Sequence, residues 1–167
     1  MAEDLLDSSY LRPLRLLLDQ LDREIAGLYE AAGITGVRTR FVGPLIQLSR
    51  RGSMSVQQLA DAMAVTHSAM SQTVAAMRRA GLVEDAENTD GRTRKVRLTD
   101  RSRELMPYLV AEWRATEAAI RELDAEIPYP LRRVVEDLRA AFAARPFRER
   151  LIAHLAGPFP QVADRSH

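Results

Sequence analysis

The stretch from Ser53 to Gly81 constrains the fold more than any other part of the chain, because it encodes two short helices with almost no linker between them. Ser55-Val56-Gln57-Gln58 fits a capping box, in which the Ser side chain accepts from the third helical N–H and the Gln reaches back to the cap. The helix that follows turns Val56, Leu59, Ala60 and Met63 inward. Ala64-Val65-Thr66 is a tight connection, and Thr66 can cap a second helix over 67–80, which Gly81 stops. Met70, Val74 and Met77 recur at i, i+4 and i+7 and form the buried stripe of that second helix. Two short helices so joined make a helix-turn-helix unit.

The opposite face of the second helix carries Ser68, Ser71, Gln72, Ala75, Arg78 and Arg79, and no acid occurs from His67 to Gly81. Small hydroxyls, an amide and two arginines suit a helix that fits a major groove and bonds base edges and phosphates. A merely solvated helix interleaves Glu with Lys or Arg, so the missing acids weigh against that reading. His67, in the first turn, can contact phosphate or a base, or can cap and pack locally, and the residues leave both open.

A hairpin comes next. Leu82–Glu87 and Arg92–Thr99 flank Asn88-Thr89-Asp90-Gly91, and Asp-Gly is a strong two-residue turn signal. With Asp90 and Gly91 at the turn, Thr89 faces Arg92, Glu87 faces Arg94, Glu84 faces Arg97 and Val83 faces Leu98. That register yields two opposite-charge pairs and one apolar pair, which supports it. Arg92 is left at the tip with Asp90 as its nearest acid. An arginine there can enter a narrow minor groove or stand exposed, braced by Asp90, and the two readings are even.

Long amphipathic helices flank this unit. Over 11–31, Leu14, Leu17, Leu18, Leu21, Ile25, Leu28 and Tyr29 fall at helical spacing, with Pro13 in the first turn and Gly33 and Gly36 ending the run. A second helical stretch, about 38–50, runs through Phe41, Leu45, Ile46 and Leu48, with a late start or a kink expected at Gly43-Pro44. A third, 100–127, capped by Thr99 or Asp100, carries Leu105, Leu109, Trp113, Ile120 and Leu123. Pro128-Tyr129-Pro130 breaks it, and 131–144 and 147–156 are two further amphipathic helices separated by Pro146. The helices outside the central unit expose more apolar stripe than a small winged domain can cover, and burial across a two-fold interface would resolve this. The expected fold is mostly α with a small β-hairpin wing: an N-terminal dimerisation helix (1–36), a winged helix-turn-helix domain (37–100), C-terminal dimerisation helices (101–157) and a tail (158–167).

Charge locates the same region. Residues 1–49 hold 5 Arg and 7 acids (net −2), residues 50–101 hold 8 Arg and Lys95 against 6 acids (net +3), and residues 102–167 hold 10 Arg and 10 acids (net 0). The chain has no cysteine, which excludes disulfides, thiolate metal sites and cysteine redox sensing. Lys95 is the only lysine, a bias best ascribed to codon usage. His67, His154 and His167 show no metal-ligand spacing, and no nucleophile–base pair, phosphate loop or carboxylate pair stands out, so neither an enzyme, a metal nor a cofactor is expected. An acidic start and the lack of any run of about 20 apolar residues point to a cytoplasmic protein without a membrane span.

The order of these elements resembles the MarR family of bacterial winged-helix transcription regulators. The resemblance is carried by Leu59-Ala60, by Thr66-His67-Ser68-Ala69-Met70-Ser71-Gln72, by Gly81-Leu82-Val83, by Asp90-Gly91-Arg92 and by Val96-Arg97-Leu98-Thr99, over about 40–105. It implies a homodimer, joined through the terminal helices, on a pseudo-palindromic double-stranded operator, most often as a repressor released by a small-molecule ligand. Carried over by position, Thr66, His67, Ser68, Ser71, Gln72 and Thr73 would face bases or phosphates, and Arg78 or Arg79 would reach phosphate. Arg92 would be the minor-groove arginine, positioned by Asp90, with Arg94 and Lys95 on the same wing. The family also implies a small aromatic or amphipathic effector between the dimerisation helices and the winged domain. Phe41, Tyr108 and Trp113 are the inward aromatics nearest that junction, although plain core packing is the stronger reading of all three. The competing function is a winged-helix protein–protein module without DNA binding. Its outer helix face would be acidic or apolar, and this chain has the opposite.

Overall fold

In the computed structural model of the chain, residues 9–86 and 94–155 are described. Amphipathic periodicity builds most of the elements: α1 (Arg12–Ala31), α2 (Thr39–Arg51), α3 (Val56–Met63), α4 (His67–Arg79), α5 (Asp100–Glu126), α6 (Leu131–Ala144) and α7 (Phe147–His154). Three short strands, β1 (Met54–Ser55), β2 (Val83–Asp85) and β3 (Lys95–Leu98), form an antiparallel sheet in the order β1-β3-β2. The chain divides into two compact units, Met1–Arg114 and Ala115–His167, and α5 runs through the boundary.

The first unit is held by one core. Phe41, Leu45 and Leu48 of α2, Leu59 and Ala60 of α3, and Met70, Val74 and Met77 of α4 are buried together with Leu82, Val83, Val96, Leu98, Met106 and Leu109. The capping box at Ser55 forms as expected: Ser55 Oγ accepts from Gln58 N–H at 3.1 Å, and Gln58 Oε1 accepts from Ser55 N–H at 2.9 Å. The described part of the hairpin has the expected register, with Val83 opposite Leu98 and Glu84 opposite Arg97. The turn around Asp90-Gly91 lies outside the described residues. Strand β1 was not expected; it pairs Met54 with Val96 and Ser55 with Lys95. Two residues are too few to display an alternation, so no sequence period marked it.

Helix α2 starts at Thr39 and carries Pro44 inside it, so of the late start or kink expected at Gly43-Pro44 the late start does not occur. Met63 packs directly over Gly43: a Cβ there would lie 2.5 Å from Met63 Cε, so the end of that flexible side chain would have to move aside. Of the two candidate caps for α5, Thr99 acts: its Oγ1 accepts from Ser102 N–H at 3.3 Å. The same hydroxyl donates to the Gly81 carbonyl at 2.8 Å, and the buried Ser102 Oγ donates to the Leu82 carbonyl at 2.6 Å.

One buried polar pair ties α1 to α5. Tyr29 Oη donates to Glu112 Oε2 at 2.8 Å, while Tyr108 Oη donates to the Leu28 carbonyl at 3.2 Å and its ring meets that of Tyr29 edge-on, 6.4 Å between centroids. Burial, and then the hydrogen bond to the Glu112 carboxylate, raise the Tyr29 phenol far above its ordinary value.

The second unit is made of helices alone among the described residues, and α6 and α7 bury no residue. Leu131, Val134, Leu138, Phe142, Phe147 and Leu151 are all exposed, as are Leu14, Leu17 and Leu18 of α1, which is the excess of apolar stripe expected of these helices. Among the described residues no helix is long and apolar enough to cross a membrane.

Removing the phenol tests the α1–α5 tie. Tyr29→Phe should cost about 1–3 kcal/mol of unfolding free energy in urea, because Glu112 loses a buried donor. Since the phenol holds its proton more firmly folded than unfolded, its contribution is present below the unfolded tyrosine value of about 10 and is lost as pH rises above it. The wild-type protein should therefore lose stability more steeply than Tyr29→Phe above that pH.

Candidate nucleic-acid interface

Helix α4 is placed by its ends and by its buried stripe. At its start Thr66 Oγ1 accepts from Ala69 N–H at 3.2 Å. The preceding turn is closed by Ala64 in the left-handed region (φ 52°) and by Val65 N–H donating to the Ala60 carbonyl at 3.1 Å. At its end Gly81 adopts φ 67°, Gly81 N–H donates to the Arg78 carbonyl at 3.0 Å, and Leu82 N–H donates to the Met77 carbonyl at 2.9 Å. These bonds are the Schellman closure that glycine favours. With Met70, Val74 and Met77 facing the core, the remaining face must point to solvent.

That outer face presents His67, Ser68, Ser71, Gln72, Arg78 and Arg79, all exposed. Thr73 is half-buried and donates its hydroxyl to the Ala69 carbonyl at 3.0 Å, so it is left mainly as an acceptor. Thr66 is exposed but spends an oxygen lone pair on its cap. The two arginines differ. Arg78 forms an ion pair with Asp85 of β2, whereas Arg79 has no acidic partner among the described residues. Exposed pairs contribute at most about 1 kcal/mol, so Arg78 can exchange Asp85 for a stronger anion.

On the wing, Asp90 and Arg92 lie outside the described residues. Arg94 and Lys95 are exposed at the start of β3, and Arg97 is paired with Glu84 at 2.9 Å. Val65, in the linker between α3 and α4, is 44% exposed immediately before the cap of α4. An apolar side chain there suits a thymine methyl. Its signal was a branched apolar residue in a turn otherwise made of small and polar ones.

The three aromatics considered for an effector do not converge. Phe41 is fully buried under the guanidinium groups of Arg38 and Arg40, at 6.0 and 5.6 Å from its ring centre. Tyr108 packs on Tyr29. Trp113 alone of the three lines a cavity of about 560 Å³, together with Gly43, Ile46, Gln47, Met63, Met106, Val110, Arg50 and Arg114. Gln47 Oε1 is buried without a hydrogen-bond partner among the described residues. Sequence periodicity could not find Gln47, Arg50 or Arg114, because a polar residue beside a cavity looks like any helix-surface residue. Among the described residues no cluster of three His, Asp or Glu side chains could hold a metal.

Comparison with known proteins bears on the fold. Residues 45–93 match the model of the MarR family. A MarR family transcriptional regulator from Silicibacter pomeroyi is 24% identical, with 85% of this chain and 98% of that chain covered and a TM-score of 0.55. The transcriptional regulator MosR of Mycobacterium tuberculosis, solved in complex with DNA, is 24% identical, with 83% and 99% covered and a TM-score of 0.58. The transcriptional regulator PcaV of Streptomyces coelicolor, solved with its natural ligand, is 18% identical, with 87% and 99% covered and a TM-score of 0.56. No curated protein sequence matches the chain at a significant level.

The cap of α4 can be checked alone. Thr66→Ala should lower stability by about 1 kcal/mol in chemical denaturation, and Thr66→Ser should restore most of it.

Proposed function

We propose that this chain is a winged helix-turn-helix transcription regulator of the MarR family, whose model residues 45–93 match, and that it binds specific double-stranded DNA as a homodimer, acting as a repressor on a pseudo-palindromic operator. The observation that carries the reading is the outer face of α4. It is exposed, free of acid from His67 to Gly81, and made of the hydroxyl, amide and guanidinium groups that base edges and phosphates accept. Ser68, Ser71 and Gln72 read bases, His67, Thr66 and Thr73 border them, and Arg79, with Arg78 once released from Asp85, holds phosphate. Arg94 and Lys95 add positive charge on the wing, and Arg92 with Asp90 is assigned to its tip. The fold neighbour MosR, solved with DNA, supports the same use of the fold.

Dimerisation is supported by the apolar side chains that α1, α6 and α7 leave exposed. We assign residues 1–36 and 101–157 to that interface, 37–100 to the DNA-binding domain and 158–167 to a tail. Two copies of α4 then present half-sites about one helical turn apart. Release is assigned to a small aromatic or amphipathic effector in the cavity beside Trp113, where Gln47 offers an unsatisfied amide oxygen and Arg50 and Arg114 offer charge. The site is cytoplasmic, as transcription requires.

Selection of bound sequences from a random duplex library tests the proposal. A pseudo-palindrome with half-sites about 10 base pairs apart is expected; enrichment of no sequence would overturn specific DNA binding and favour a protein-contact module. On the selected operator, Gln72→Ala should cost about 1–3 kcal/mol and relax the preference at one position of each half-site. Arg79→Ala should weaken all sequences alike and reduce the salt slope by about one per protomer. Trp113 is the single tryptophan of the chain, so an effector in the cavity should change its emission at the concentrations that release DNA.

A further inference from the structure

The exit of α4 is fastened by side chains around the start of α5. Three side chains from the start of α5 take three consecutive carbonyls just past the recognition helix: Arg101 Nη1 donates to Ala80 at 2.7 Å, Thr99 to Gly81 at 2.8 Å and Ser102 to Leu82 at 2.6 Å. Thr99 and Ser102 stop there. Arg101 continues, and its second amino group, Nη2, donates to the Thr35 carbonyl in the connector between α1 and α2. Gly36 turns the connector at this point with φ 76°, a left-handed conformation that favours glycine, and lies beside Ala80 and the Arg101 guanidinium. One guanidinium therefore joins the connector to the end of α4, at the end of the helix where a cation is favoured by the helix dipole. Its planar fork can serve two carbonyls from different segments at once, which an ammonium on a flexible stem does less well.

We infer that Arg101 is a positioning residue for DNA recognition: it locks the C-terminal end of α4 to the α1–α2 connector, so that the angle at which α4 is presented is set by the segment that leads to α1. The inference rests on the DNA-binding reading above. Arg101 itself touches no DNA in this account, and its guanidinium is engaged by backbone carbonyls of its own chain. Without it, α4 keeps its cap, its stripe and its Schellman closure but gains freedom at its exit, and the cost falls on the fit to the operator.

The test compares the full-length wild type, Arg101→Ala and Arg101→Lys by amide hydrogen exchange and by titration of the selected operator over a range of salt. Arg101→Ala should accelerate exchange at Ala80, Gly81 and Leu82 by at least about tenfold and weaken operator binding by about tenfold with the salt slope unchanged; Arg101→Lys should recover only part of both. Unchanged exchange would overturn the lock. Faster exchange with unaltered affinity would reduce Arg101 to a structural cap and overturn its role in recognition. A salt slope lower by about one per protomer would make it a phosphate contact instead. Should the wild type select no sequence, the DNA reading fails and the positioning role with it, whereas a wild type that binds beside a variant that binds equally well rejects only the role of Arg101.

Discussion

What the winged unit offers to a partner follows from the burial of one stripe of α4. Met70, Val74 and Met77 are each at most 3% exposed, and truncating side chains of this size in a packed core costs about 2–5 kcal/mol apiece. No surface interaction on the helix approaches that sum. The stripe therefore fixes the rotation of α4 about its axis, and Ser68, Ser71, Gln72 and Arg79 face outward as a consequence. The ends are fixed separately, by Thr66 at the start and by Gly81 and the α5 side chains at the exit.

Electrostatics then decides what that outward face can bind. Surface ion pairs contribute little in water, so the Arg78–Asp85 and Arg97–Glu84 pairs arrange side chains more than they stabilise the fold. Their placement matters in another way. Glu84 is occupied by Arg97 within the sheet, whereas Asp85 takes Arg78 of α4 and competes for it, so Arg79 is the arginine of α4 with no acidic partner among the described residues. The proposed DNA function rests on this combination of a rigid helix and an uncompensated polar face.

The sequence made some of this legible and hid the rest for identifiable reasons. The capping box at Ser55, the stripe of α4 and the register Glu84–Arg97 were readable because each depends on residues a few positions apart or on a strict period of two. Strand β1 was too short to have a period. The Tyr29–Glu112 and Arg101–Thr35 bonds join residues 83 and 66 positions apart, and in the sequence each partner looks like an ordinary helix or loop residue. The aromatics illustrate the same limit: Phe41, Tyr108 and Trp113 were alike as apolar positions on helices, yet only Trp113 reaches the cavity. Which residues line a void depends on how helices pack, and local pattern does not contain that information.

The central claim is that the outer face of α4 lies in the DNA groove, and tethered cleavage tests it most directly. The chain has no native cysteine, so Ala69→Cys, at an exposed position of α4 to which no DNA contact is assigned, provides a single attachment point for an iron chelate that cuts nearby DNA. Two clusters of cuts are expected, one within each half-site and about one helical turn apart. Cleavage spread evenly along the operator, or no stronger than that of the untethered chelate, would contradict it.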